Sequence, residues 1–63
     1  MQEHVELEVS LEIIMAQIAQ AIIELEKKQT KENEEKLRKL FDLQNEAYMG
    51  NRTAVEHILL GGF

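Results

Sequence analysis

One serine, one aspartate and two histidines, Ser10, Asp42, His4 and His57, are the side chains from which this chain would have to build a catalytic triad. A nucleophilic serine needs a histidine within hydrogen-bond reach and an acid to orient it. Nothing in the spacing of these residues brings them together, and no catalytic residue is expected. The Glu-x-x-His motif of carboxylate-bundle metal sites also fails. Three residues before His57 stands Ala54, and three before His4 stands Met1. A looser zinc site is conceivable, since His4 and Glu8 share a helix face at i, i+4 and a later helix could bring His57 beside them. Two histidines among acids are more often simply solvated, so no metal is expected. The glycines do not form a phosphate-cradling loop. Gly50 stands alone and Gly61-Gly62 precede no helix, so no cofactor is expected either.

What must position any such residue is a small framework. The chain has 63 residues, seven Lys and Arg against twelve Asp and Glu, a net charge of −5, and no Cys, Pro or Trp. A chain this short buries only about 60% of the surface its unfolded form exposes. Without cysteine it has neither a disulfide framework nor a thiolate metal site, so the remaining means of stabilisation is association with another chain. The opening MQEHVELEVS has no basic segment followed by an apolar run, so a signal peptide is not expected. Ile13-Ile14-Met15-Ala16 is far shorter than the ~20 apolar residues of a membrane span. A cytoplasmic protein is the expectation, and Asn51-Arg52-Thr53 is then only a chance match to the N-glycosylation pattern.

Apolar periodicity predicts an all-α fold, a single helical-hairpin domain over residues 1–63. Helix 1 is expected at about 4–28. Leu7, Leu11, Ile14, Ile18, Ala21 and Leu25 follow a 4-3-4-3-4 spacing, widened by Met15 and Ile22. Helix 2 is expected at about 31–49. Thr30 is its N-cap, Glu32, Glu34 and Glu35 lie in its first turns, and Gly50 is a left-handed stop. Its face is Leu37, Leu40, Phe41, Gln44, Ala47 and Tyr48. The short connection at Gln29-Thr30 makes the two helices antiparallel neighbours. Helix 3 is expected at about 53–60, opened by the capping box Thr53-x-x-Glu56 and carrying Val55, Ile58, Leu59 and Leu60. Folded back, it covers the length by which helix 1 exceeds helix 2. Met15, Met49, Phe41 and Tyr48 read first as core. One hairpin cannot bury both apolar faces, and Val5, Val9, Ile13 and Ile23 add apolar surface off the seam. A homodimeric helical bundle or an obligate partner is therefore expected, with Leu7, Leu11, Ile14, Ile18, Ala21, Leu25, Leu37, Leu40, Phe41 and Tyr48 as its core and dimer seam.

Residues 5–13 also admit a second reading, because Val-Glu-Leu-Glu-Val-Ser-Leu-Glu-Ile alternates with the period of a strand. A strand over residues 3–9 followed by two helices resembles, in layout over residues 3–49, the ribbon-helix-helix family. That resemblance implies a dimer whose paired strands enter the major groove, a DNA-binding regulator or antitoxin. The outward residues here are Glu6, Glu8 and Ser10, where the family needs base-reading cationic or amide side chains. The helix is the preferred reading, because Glu and Leu propagate helices and the seam runs back through Leu7.

Charge is segregated. Residues 1–26 carry six acids and no Lys or Arg, whereas residues 27–63 carry seven bases against six acids. Lys27, Lys28, Lys31, Lys36, Arg38 and Lys39 gather near the hairpin turn; Glu3, Glu6, Glu8 and Glu12 gather at the other end with Glu46 and Glu56. Glu32, Glu34 and Glu35 sit among the basic residues and repel phosphate, so nucleic acid is not the expected partner. The expected function is that of a non-catalytic, small acidic helical protein that binds and inhibits or regulates a partner protein bearing a basic surface. A phage- or mobile-element-encoded inhibitor of a host or defence enzyme is the kind envisaged, and a small structural subunit of a larger complex is the other reading. The candidate partner surface is Glu3, Glu6, Glu8, Glu12, Val5, Val9, Ile13 and Phe63, the last either folding into the core or serving as an aromatic anchor for a partner pocket.

Overall fold

α1 runs without interruption from Gln2 to Lys27. The alternating stretch is helical throughout, and the strand reading, with the ribbon-helix-helix layout built on it, is overturned. The physical reason lies in the same residues. Leu7, Leu11 and Ile14 recur at i, i+4 and i+7, so a helix turns all three toward one core, and Glu and Leu propagate helix at little cost. The computed structural model describes residues 2–61, with side chains from residue 4 onward, so the parts expected of Phe63 and of the Glu3 carboxylate lie outside the described residues.

α2 (Lys31–Tyr48) returns against α1 after a three-residue connection that contains no glycine. Helix termini leave carbonyls and amides without partners inside the helix. Here one side chain serves the carbonyl end: the Asn33 amide donates to the Lys28 carbonyl at 2.9 Å and, more weakly, to the Glu24 carbonyl at 3.4 Å. The amide end of α2 is closed as its sequence predicts. Thr30 is extended (φ −106°, ψ 158°) and its hydroxyl accepts from the Asn33 backbone N–H.

α2 ends in a Schellman motif. Gly50, at φ +84°, donates to the Ala47 carbonyl, and Asn51 donates to the Glu46 carbonyl. Asn51 then opens α3 (Arg52–Leu59): its side chain accepts from the Thr53 backbone N–H at 3.0 Å. The capping box expected at Thr53 is not formed, because Asn51 already holds the cap and Thr53 falls inside the helix. Asn is at least as good a cap as Thr, and the turn that Gly50 makes delivers it to that position. The other observed bounds lie within two residues of the expected ones.

α3 packs against both α1 and α2. The core comprises Ile14, Ile18 and Ala21 from α1, Leu40 and Ala47 from α2, and Val55 and Ile58 from α3. Leu7, Leu11, Ile13, Leu37, Leu43 and Leu59 pack on its edges. Each fully buried Ile adds about 1.5–3 kcal/mol. The 18 residues of α2 and the 8 of α3 together match the 26 of α1. Ser10, wholly buried, returns its hydroxyl to the Leu7 carbonyl at 2.7 Å. The result is a narrow body of 41 × 17 × 15 Å, whose long axis matches the ~39 Å rise of α1.

Candidate functional site

Two ion pairs tell which side of the hairpin α3 occupies. Glu24 pairs with Lys36 at 3.5 Å, bridging α1 and α2, and Glu6 pairs with Arg52 of α3 at 3.7 Å. Glu6 and Glu24 are 18 residues apart, five full turns, and so lie on one flank of α1. Half-buried Ile13 and Gln17 share that flank, and on α2 it is marked by Lys36 and, seven residues on, half-buried Leu43. This is the side that α3 covers.

The opposite side has no cover. Met15 is nine residues from both Glu6 and Glu24, half a turn out of phase with each. Ala19 and Ile22 continue its line at i+4 and i+7. On α2, Phe41 and Tyr48 lie five residues beyond Lys36 and Leu43, about 140° around the helix. Met15 is 55% exposed, Ile22 40%, Phe41 46% and Tyr48 61%. Within the single chain, then, Met15, Phe41 and Tyr48 are not core, and neither is Met49, which is more exposed still. The reason is geometric. A third helix only eight residues long roofs one flank of the hairpin and leaves nothing for the other.

Of the remaining seam residues, Ile14, Ile18, Ala21 and Leu40 are buried in the chain's own core, Leu7, Leu11 and Leu37 pack half-buried against it, and Leu25 is half-buried. Of the off-seam residues, Ile13 is half-buried against the core, whereas Val5, Val9 and Ile23 are exposed. From Ile13 to Ile23, α1 carries eleven consecutive uncharged residues, of which only Gln17 and Gln20 are polar. A helix apolar nearly all round is ordinarily surrounded, yet this one is covered on one side.

The open end of the hairpin is acidic. Glu8, Glu12, Glu46 and Glu56 are exposed, and Glu6 is half-buried. Arg52 is the one base of this end, and its guanidinium pairs with Glu6 and, at 3.5 Å, with Glu56. Among the described residues no Lys or Arg lies within ion-pair distance of Glu8 or Glu12. Among the described residues, too, no three histidines or acids converge as a ligand set, so His4, Glu8 and His57 do not assemble into the looser site. No helix of the described residues is long and apolar enough to cross a membrane.

Neither protein-family models, nor curated proteins, nor solved structures match this chain. The surface alone carries the functional reading. Two features of the structure were not drawn from the sequence. One is the second seam, Glu8, Glu12, Met15, Ala19, Ile22 and Glu26, whose 4-3-4-3-4 spacing was readable beside the first. The other is Asn33, whose service to the far helix end has no local sequence signal.

Proposed function

We propose that this chain is a non-catalytic interaction protein that binds and inhibits or regulates a partner protein. The observation that carries this reading is the apolar side of the hairpin left uncovered opposite α3, Met15, Ile22, Phe41 and Tyr48. Contiguous exposed apolar side chains rimmed by charge mark interaction surfaces in soluble proteins. The acidic open end adds selectivity. Among the described residues no Lys or Arg pairs with the exposed Glu8 and Glu12 carboxylates, and a basic surface on the partner, such as the nucleic-acid groove of an enzyme, supplies the complementary charge.

The test is capture of partners on the immobilised chain over a range of salt concentrations, beside a Glu8→Gln/Glu12→Gln variant. Proteins retained by the wild type, lost with the variant and eluted as salt shortens the Debye length are the expected result. A chain that retains nothing at any salt concentration overturns the reading.

A further inference from the structure

Resting on the reading of the uncovered side as an interaction surface, we propose that its occupant is a second copy of this chain, held antiparallel. The two-fold axis crosses the hairpin near Ala19 and Phe41, so that α1 lies along α1 of the partner with the turn of one copy over the open end of the other.

Three observations converge on this arrangement. The first is the symmetry of the seam. Ala19 sits four residues after Met15 and three before Ile22, so antiparallel α1 helices set Ala19 across from its own copy and Met15 across from the copy of Ile22. A small residue on the axis lets the helices approach to the usual 8–10 Å, with large side chains interlocking on either side. A two-fold interface requires this kind of self-complementary patch.

The second is area. A monomer of 7.3 kDa exposes about 4,200 Å², and this chain exposes 4901 Å². The excess of about 700 Å² is close to the ~800 Å² that one partner contributes to a standard interface. The uncovered side of the hairpin contributes to it, and two copies supply each other with a roof.

The third is charge, and it selects the orientation. Residues 18–41, the turn half, carry six bases and five acids; residues 1–17 and 42–63, the open half, carry one base and seven acids. A parallel dimer sets two open halves of net −6 side by side. The antiparallel dimer sets each against a turn half of net +1 and separates the acidic ends along a body 41 Å long, its one like-charge approach along α1 being Glu12 across from the copy of Glu26. That distance is several times the ~8 Å Debye length at physiological salt.

Sedimentation equilibrium on the full chain at micromolar concentration is expected to give twice the 7.3 kDa chain mass. A Met15→Glu/Phe41→Glu variant is expected to sediment as a monomer, its dimer dissociation constant raised about a hundred-fold or more, since symmetry counts each lost contact twice. Both positions are already exposed, so its helical circular dichroism should persist. The chain has no cysteine, which permits a second measurement that does not depend on that variant. Ala19→Cys is expected to link covalently to its own copy on oxidation or with a short bis-maleimide, and Gln20→Cys, turned away from the seam, is not. A parallel pairing sets α1 over the partner's α2 and leaves Ala19→Cys unlinked. A wild type that stays monomeric at 100 µM, or a dimer in which Ala19→Cys does not link, overturns the proposal. A monomer that still captures a salt-sensitive partner overturns the dimer and leaves the interaction reading standing; a dimer that captures nothing does the reverse.

Discussion

Individual residues fix where the helices stop, and the caps show how local that control is. Thr30 and Gly50 act as their types require: one is a hydroxyl acceptor on extended backbone, the other a residue able to take φ +84°. Gly50→Ala forces a side chain into the left-handed region and should cost about 1–2 kcal/mol. In a domain of this size, 1 kcal/mol lowers the melting temperature by about 4–8 °C, which calorimetry resolves. Asn51 and Thr53 offer a sharper comparison. Asn51 holds the α3 cap, so Asn51→Ala should cost about 1 kcal/mol, whereas Thr53→Ala, inside the helix, should change stability by no more than about 0.5 kcal/mol. The reverse order in urea titrations restores the capping box at Thr53. Ser10 is the buried polar residue of the described core, and its hydroxyl serves only the carbonyl three residues back. Such a bond competes with the helix rather than holding the fold, so Ser10→Ala should leave the melting temperature unchanged or raise it.

At the scale of elements, the eight residues of α3 decide which surface is core. Ile58 is fully buried, and the helix that carries it closes over the flank marked by Glu6 and Ile13. A chain of 63 residues has only about 3–9 kcal/mol of folding stability in all. Ile58→Ala, at about 2–5 kcal/mol, removes a large share of it. Urea unfolding monitored by circular dichroism should show a midpoint displaced far below that of the wild type. The exposed ion pairs Arg52–Glu6 and Arg52–Glu56 are of a different order. Pairs in solvent contribute about 1 kcal/mol or less, so Arg52→Met should lower stability only slightly. If Arg52→Met proves as damaging as Ile58→Ala, packing is not what holds α3 in place.

For the whole molecule, the governing quantity is the distribution of charge rather than its total of −5. Carboxylates crowd the open end, where Arg52 is the one base to offset them. Raising ionic strength from 0.01 to 0.15 M shortens the Debye length from about 30 to about 8 Å and screens their mutual repulsion. The melting temperature should rise over that range, and Glu8→Gln/Glu12→Gln should flatten the rise. A melting temperature that falls with added salt indicates that attractive pairs such as Glu24–Lys36 outweigh the repulsion.

The sequence by itself determined the helices, their caps at Thr30 and Gly50, the inward line of Leu7, Ile14, Ile18 and Leu40, and the polarity of charge. All of these follow from helical spacing, and helical spacing is a local property of the chain. It could not rank the several apolar stripes of α1, because the stretch from Ile13 to Ile23 offers apolar residues in nearly every direction. That choice needed the third helix. Val55 and Ile58 bind α3 to one flank of the hairpin, and only that docking separates Ile13, which the chain covers for itself, from Met15, Ile22, Phe41 and Tyr48, which it leaves exposed. Asn33 belongs with them. Its type is ordinary for a first helical turn, and its work, closing the carbonyl end of a different helix, exists only once α1 and α2 lie side by side.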